Sequence, residues 1–271
     1  MWLKTVWIKF MLVPVILLLA IVHLDAHEPL FGLGPHTIYQ NGVGLESALE
    51  KGESGWANHW ELLYGITPDW AVTFAAPYLF TSQGHTAGFG DISLRSKLRF
   101  FRRDMPGASL QAAFHSGVRF PTGDRILNRG SGATDYFLGA SLGYESRRHY
   151  FFAGSHYQIN RAVNGLERGN RLEFDLAYGI RPYKLEYLQP DPVLLVEFIG
   201  ETIGKDRQNG VSNANSGGSV LSVAPGLLFS YRNVMLKAGV KIPIINDLNG
   251  VQETPDPEYV MGLEFHLPPL F

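Results

Sequence analysis

The stretch Arg171–Arg181, with the sequence RLEFDLAYGIR, alternates apolar and polar side chains with a period of two residues. One face of this stretch carries the apolar side chains Leu172, Phe174, Leu176, Tyr178 and Ile180. The other face carries Arg171, Glu173, Asp175, Ala177, Gly179 and Arg181. Successive side chains of a β-strand point to opposite faces, so the pattern predicts a strand with one apolar and one charged face.

The same alternation recurs along the rest of the chain, and no segment has the periodicity of a helix. We predict about twelve strands of about ten residues each, which is the length that a tilted strand needs to cross a bilayer. Their approximate positions are 41–50, 57–66, 70–81, 90–102, 109–121, 135–146, 149–160, 171–182, 192–204, 219–231, 234–245 and 258–267.

The connections between these strands alternate in length. The connections 67–69, 104–108, 146–148 and 232–233 are short, whereas 82–89, 122–134, 161–170, 205–218 and 246–257 are long and rich in Gly, Asn, Asp and Pro. Tyr183–Asp191 is longer than its place among the short turns predicts. An even strand number with alternating short and long connections is typical of outer-membrane barrels.

A soluble β-sandwich also alternates apolar and polar faces, so further features have to decide between the two folds. Aromatic residues lie near the predicted strand ends, as in the interfacial girdles of membrane barrels: Trp56, Trp60, Trp70, Tyr78, Phe80, Tyr136, Tyr144, Tyr178, Tyr231 and Tyr259. The opposite face carries charges on nearly every strand, which a dry sandwich core would not tolerate. We therefore predict an all-β fold, a transmembrane antiparallel up-and-down β-barrel of about twelve strands over residues 41–271.

The first residues have the composition of a targeting signal. Lys4 and Lys9 precede an apolar run, Phe10–Val22, that is short for a membrane-spanning helix. We expect residues 1–26 to be a signal peptide cleaved after Ala26, with an uncleaved anchor as the alternative. Residues 27–40 would then form a periplasmic N-terminal segment, and both termini of the barrel would be periplasmic in a bacterial outer membrane.

Composition excludes several classes of function. Lys plus Arg number 23 and Asp plus Glu number 25, for a net charge of −2, so no basic surface for nucleic acid is expected. The chain has no cysteine, which excludes disulfides and thiolate metal sites. We expect no cofactor.

Several turn and loop motifs resemble those of one membrane family. They are Tyr64-Gly65-Ile66-Thr67, Ala76-Pro77-Tyr78, Gly88-Phe89-Gly90-Asp91-Ile92, Phe120-Pro121-Thr122-Gly123-Asp124 and Gly130-Ser131-Gly132-Ala133-Thr134-Asp135. As a set they resemble the outer-membrane barrel family named for the meta-pathway of phenol degradation, over roughly residues 56–267. The resemblance implies a porin-like transporter for small solutes, including aromatic or other hydrophobic compounds. It also implies contact with outer-membrane lipid and, during biogenesis, with the barrel-assembly machinery.

The candidate functional residues are the charged side chains predicted to line the lumen: Glu46, His59, Glu61, Arg95, Lys97, Arg99, His115, Arg119, Glu173, Asp175, Glu197, Lys237, Lys241 and Glu264. They fit either a polar passage or an interior closed by cross-strand ion pairs. The stripe Arg95, Lys97 and Arg99, together with Arg119, would favour anions, unless Glu173 and Asp175 neutralise it.

Three other functions can be weighed against transport. A non-conducting barrel would act through its long loops 122–134, 205–218 and 246–257. A metal-handling protein would use His27 and His36, although a flexible, solvated terminal segment is the simpler interpretation and no metal site is expected. A hydrolase would need a serine beside a histidine, but His115 and Ser116, like His156 and Ser155, are adjacent on a strand and point to opposite faces. We therefore expect no enzymatic activity.

Overall fold

Twelve long antiparallel strands make up the computed structural model, which describes residues 28–53, 55–82, 84, 86–183 and 189–267. The predicted signal peptide 1–26 and His27 lie outside the described residues. The strands are β1 (Val43–Gly52), β2 (Gly55–Thr67), β3 (Trp70–Leu79), β4 (Ser93–Met105), β5 (Ala108–Arg119), β6 (Asp135–Ser146), β7 (His149–Ile159), β8 (Arg171–Ile180), β9 (Asp191–Ile203), β10 (Gly218–Tyr231), β11 (Val234–Leu248) and β12 (Glu258–Leu267).

Each strand pairs with its neighbours in the chain, and the sheet closes on itself. Closure comes from β1, which pairs with β2 on one side and with β12 on the other, in a register that sets Val43 opposite Leu267 and Lys51 opposite Tyr259. A closed sheet leaves no unpaired edge, which lipid could not satisfy. The predicted barrel of about twelve strands is confirmed. The described residues contain no helix of the length and apolarity needed to cross a membrane.

The barrel is apolar outside and charged inside. On β8, Leu172, Phe174 and Leu176 are 44%, 47% and 56% exposed, whereas Asp175 on the opposite face is 1% exposed. This is the reverse of a water-soluble sheet, in which the apolar face is the buried one. Seven of the ten predicted girdle aromatics are exposed on the outer wall: Trp56, Trp60, Trp70, Phe80, Tyr136, Tyr231 and Tyr259. A bulge after Arg99 leaves Phe100 and Phe101 both exposed.

One end of the barrel carries the tight turns 68–69, 106–107, 147–148 and 232–233, and we call it the short-turn end. The other end carries the long connections 80–92, 120–134, 160–170, 204–217 and 249–257. Two of these loops contain short strands, Leu166–Glu167, Arg207–Gln208 and Val211–Ser212, which form a small sheet of their own. The loop predicted over 82–89 ends in a further short strand, Gly88–Phe89, which extends the barrel sheet beside Tyr78 and Leu79.

The connection after β8, which is long for the short-turn end, is anchored by one guanidinium. Arg181 Nε donates to both carboxylate oxygens of Asp191, at 2.8 and 2.7 Å, and Nη1 donates to the carbonyl oxygen of Ser146 at 3.1 Å. The side chain also lies over the ring of Tyr150. These contacts fix the strand ends on both sides of the connection, so its length does not disturb the barrel.

Candidate functional site

Residues 28–42, which we call the lumen segment, run into the barrel from the short-turn end. Near this end the hydroxyl of Thr37 donates to the carbonyl oxygen of Pro68 at 2.8 Å, and the amide of Asn41 donates to that of Gly65 at 2.8 Å. Farther along, the segment contacts the inner faces of β4, β6, β8, β9 and β11. From the sequence we expected 27–40 to be a periplasmic N-terminal segment. The structure places its described part, from residue 28, inside the barrel against the inner wall.

Two buried carboxylates hold the lumen segment by its backbone. Glu197, which is fully buried, accepts hydrogen bonds from the amides of Leu30 at 2.6 Å and of Phe31 and Gly32 at 3.1 Å each. Asp175 accepts one from the amide of Leu33 at 3.2 Å. A buried charge is tolerated where strong donors surround it, and hydrogen bonds to an ionised acceptor are stronger than neutral ones. Four consecutive amides thus donate to these two carboxylates, three to Glu197 and one to Asp175, whose Oδ2 is buried and has no hydrogen-bond partner among the described residues.

Glycines on the inner wall provide the space that the segment occupies. A Cβ atom on Gly239 would lie 2.7 Å from Leu30 Cδ1, one on Gly143 would lie 2.8 Å from Pro35 Cγ, and one on Gly226 would overlap Leu30. Leu30 also packs against an apolar cluster formed by Tyr150, Phe152, Ala177, Val193, Leu195 and Leu228. The inner face is therefore apolar along part of β7–β10 and charged elsewhere.

At the far end of the segment, Glu28 lies beside Lys97, with its carboxylate 2.5 Å from Lys97 Nζ. Burial raises the pKa of Glu28 above its ordinary value, and the positive charge of Lys97 partly opposes this effect. At this end of the segment, the ionised form of Glu28 is therefore less stable than it would be in water.

The basic stripe predicted on β4 is neutralised residue by residue. Arg95 pairs with Glu61, and Lys97 pairs with Glu28. Arg99 is buried and donates to Asp69 at 2.8 Å, to Gln111 at 2.9 Å and to the carbonyl oxygen of Pro68 at 2.7 Å, which fixes the β2–β3 turn. The partners are thus not Glu173 and Asp175, as the sequence suggested, and the stripe offers no open row of cations.

Most other predicted lumen residues also pair with an acidic or basic side chain, and in three of these pairs the basic side chain is a histidine. Glu46 pairs with Lys237, His59 with Glu50 at 3.2 Å, Glu173 with His156 at 3.8 Å, Lys241 with Glu201 at 3.2 Å and Glu258 at 2.9 Å, and Glu264 with His266 at 2.6 Å. Arg119 differs, because its guanidinium lies 4.0 Å from the carboxylate of Asp135. The structure therefore brings the charged residues together mainly as cross-strand pairs, and leaves one guanidinium loosely paired.

A serine–histidine contact exists, but not between neighbours in sequence. His115 Nε2 lies 2.7 Å from Ser141 Oγ, across the β5–β6 pair, and both residues are buried. A nucleophile needs a base and access to substrate. Access is missing here, because the two side chains are only 6% and 5% exposed. We interpret the pair as a satisfied contact between two buried polar groups.

The metal hypothesis rested on His27 and His36. His36 is buried, lies 3.4 Å from Glu145, and packs edge-on against Phe152. Within the described ranges, no group of three or more His, Cys, Asp or Glu residues could hold a metal ion. His27 lies outside those ranges, so the hypothesis stays a prediction.

Sequence reasoning missed Glu28, Ser141 and the backbone amides of the lumen segment. One signal was available for the segment: glycines recur at inward positions of neighbouring strands, among them Gly139, Gly143, Gly226 and Gly239. A wall without side chains indicates that something else fills the space.

The closed sheet, the apolar outer wall and the charged inner wall define a β-barrel of the outer-membrane type. This chain belongs to the family described as "Putative MetA-pathway of phenol degradation", whose model matches residues 35–244. The family resemblance seen in the sequence is confirmed, and the match begins earlier than expected, inside the lumen segment.

Solved structures agree with this fold. An outer membrane channel from Pseudomonas putida F1 superposes with a TM-score of 0.65 at 12% identity, and the match covers 90% of this chain and 100% of that one. The NanC porin has a TM-score of 0.52 at 11% identity, with coverage of 82% and 98%. No curated protein matches the chain.

Proposed function

We propose that the protein is an outer-membrane channel that lets small solutes pass down their gradient, with the short-turn end and both termini in the periplasm. The observation that supports this best is the content of the barrel. Among the described residues, the chain inside the barrel is one segment, which lies against inward glycines and whose amides donate hydrogen bonds to Glu197 and Asp175. Such a segment can shift without breaking the wall, because the strand ladder does not depend on it.

The solutes we propose are small and include aromatic compounds, by analogy with the name of the family. Outer-membrane lipid would contact the apolar outer wall. We further propose that the barrel-assembly machinery inserts the chain, since a closed sheet with an apolar exterior cannot form in water without shielding.

A non-conducting barrel is the second candidate, and one specific observation favours it. The apolar cluster around Leu228 and Val193, together with Leu30, packs the inner face without exposed side chains. If this packing sealed the barrel, the long loops would carry the function, as binding sites for a partner outside the cell.

Single-channel recording of the refolded full chain in planar bilayers separates the two candidates. We expect current steps from the wild type and larger or more frequent steps from Gly226→Ala, because the added methyl group overlaps Leu30 and loosens the segment. Overpacking costs about 1–3 kcal/mol. This cost would shift the equilibrium between the lumen segment seated on the inner wall and the segment released from it roughly fivefold or more toward release.

Gly84→Ala is the matched control, because a Cβ atom there has nothing within 4 Å. It should record as wild type. If neither the wild type nor Gly226→Ala gives current although insertion is verified, the channel proposal is wrong and the non-conducting candidate stands.

A further inference from the structure

Arg119 stands at the end of β5 from which the long loop 120–134 starts, on the inner face of the barrel. Its side chain is 43% exposed, and Nη1 lies 4.0 Å from Asp135 Oδ2, beyond hydrogen-bond distance. No hydrogen bond to any described residue is found for this guanidinium. A guanidinium carries several donors in a planar fork that suits a carboxylate. Arg119 thus presents unused hydrogen-bond donors at the end of the barrel that carries the long loops, which we call the loop-side mouth.

The carboxylates near Arg119 are already engaged by other donors. Asp135 is 2% exposed and accepts from Arg168 Nη2 at 2.5 Å and from the amide of Arg161 at 3.1 Å. Asp91 accepts from the amides of Gly123 at 2.9 Å and of Ser131 at 2.7 Å. These acids stabilise the loops, and they leave the positive charge of Arg119 available to a ligand.

Two further arginines increase the positive field at this place. Arg168 and Arg171 lie close enough to Arg119 to interact with its charge. Arg171 pairs with Glu201 at 3.0 Å, but Glu201 is shared with Lys241 at 3.2 Å. The exposed part of this cluster is cationic, because the arginine side chains are 40–43% exposed while Asp135 and Glu201 are buried to 2% and 11%.

An aromatic ring lies next to this cationic group. The β5–β6 register sets Arg119 opposite Asp135 and Gly117 opposite Phe137, so Phe137 lies on the same inner face, one step deeper. The ring packs against His156 at 4.9 Å between centroids. A Cβ atom on Gly117 would lie 3.5 Å from Phe137 Cδ1 and 3.1 Å from Arg95 Cγ, so the ring and the Arg95 side chain meet at the position that Gly117 leaves without a side chain. Guanidinium and ring are thus arranged for a solute with a charged head and a flat apolar body.

We propose that Arg119 and Phe137 form a binding site for small aromatic monocarboxylates at the loop-side mouth of the barrel. The carboxylate of the solute would accept hydrogen bonds from the guanidinium of Arg119, and the ring of the solute would lie against Phe137. The inference rests on the proposed channel function, for which it names the class of solute. As a binding site, it can be tested without any measurement of transport.

The test is isothermal titration of the folded full chain in detergent with benzoate, cyclohexanecarboxylate and benzyl alcohol. We expect benzoate to bind, cyclohexanecarboxylate to bind about two- to tenfold more weakly because it lacks the aromatic contact, and benzyl alcohol to bind at least about tenfold more weakly because it lacks the charge.

Three variants assign the binding to these two residues. Arg119→Gln should weaken benzoate binding about tenfold or more, Phe137→Leu should weaken it severalfold and remove the preference over cyclohexanecarboxylate, and Arg103→Gln, an exposed arginine at the short-turn end, should leave it unchanged. Heat-modifiable gel mobility checks that each variant is folded. If Arg119→Gln does not fold, Arg119→Lys keeps the charge but loses the fork, and should still bind benzoate severalfold more weakly than wild type.

The inference is overturned if wild type does not bind benzoate, if benzyl alcohol binds as tightly, or if neither Arg119 variant changes the affinity. Failure of the channel proposal would look different. In that case benzoate would bind in the calorimeter while bilayers with verified insertion show no current.

Discussion

Glu197 illustrates how single residues of this barrel obtain partners that strand periodicity cannot supply. Its inward direction follows from the alternation along β9 and was predicted from the sequence. Its partners, however, are three backbone amides that lie 165 to 167 positions earlier in the chain. Any residue other than proline can supply a backbone amide, so the pattern of side chains does not predict such a contact. Arg99 is similar, since its partners in the β2–β3 turn become neighbours only when β4 pairs with β3.

The variant Glu197→Gln tests directly whether this carboxylate holds the lumen segment. The amide keeps the shape of the carboxyl group but removes the charge and turns a donor toward the segment, so the hydrogen bonds to Leu30, Phe31 and Gly32 weaken. Bonds to charged acceptors contribute about 1.5–3 kcal/mol. We therefore expect amide hydrogen exchange in residues 30–33 to accelerate roughly tenfold or more, measured by mass spectrometry in detergent.

Glu253→Gln is the control for that measurement, because Glu253 is an exposed loop residue. It should leave exchange in residues 30–33 unchanged. Equal protection in wild type and Glu197→Gln would mean that the segment is held by something other than this carboxylate.

At the scale of elements, the strands were predictable and the lumen segment was not. Each strand repeats one simple alternation, and turns rich in Gly, Pro, Asn and Asp mark its ends, so the predicted bounds of β6 and β12 agree with the structure at both ends. The segment has no such repeat. Its place is determined by what the wall lacks, namely side chains at inward glycines such as Gly226 and Gly239.

The same segment should respond to pH through Glu28. Burial raises its pKa in the seated state above the ordinary value of 4.5, against the opposing effect of Lys97. The seated segment therefore binds a proton more tightly than a released one, and acid favours seating while alkali favours release. The other charges that act on Glu28 are Lys237 on β11 and Glu264 on β12. We expect channel current to fall as the pH is lowered from neutral toward 4.5.

Glu28→Gln isolates this contribution, because glutamine resembles the protonated side chain. At neutral pH this variant should conduct like acidified wild type, and its own current should depend less on pH. An unchanged pH dependence in Glu28→Gln would assign the response to other carboxyl groups.

At the scale of the whole molecule, the fold follows from the different environments of the two faces of one sheet, which are lipid hydrocarbon outside and water or ion pairs inside. Alternation alone could not show which face met water, because soluble sandwiches alternate too. Charged residues on the inner face of most strands and aromatic residues near the strand ends settled it, and the exposed Leu172, Phe174 and Leu176 of β8 agree. The loose pairing of Arg119 could not be predicted in the same way. It depends on the loop amides that donate to the nearby carboxylates Asp135 and Asp91, and the alternation along the strands does not place those amides.

A charge on the outer wall tests the lipid-facing assignment of the whole barrel. Leu176 lies near the middle of β8 and is 56% exposed on the outer face. An arginine at the bilayer midplane of a barrel costs about 2–4 kcal/mol, so Leu176→Arg should lower the free energy of unfolding by that amount in reversible folding into lipid vesicles. Ile126→Arg is the control, because Ile126 is 92% exposed in a long loop and should tolerate the charge. If both variants lost the same stability, or if Leu176→Arg lost none, the face that carries Leu176 would not be in hydrocarbon, and the membrane barrel would have to be given up.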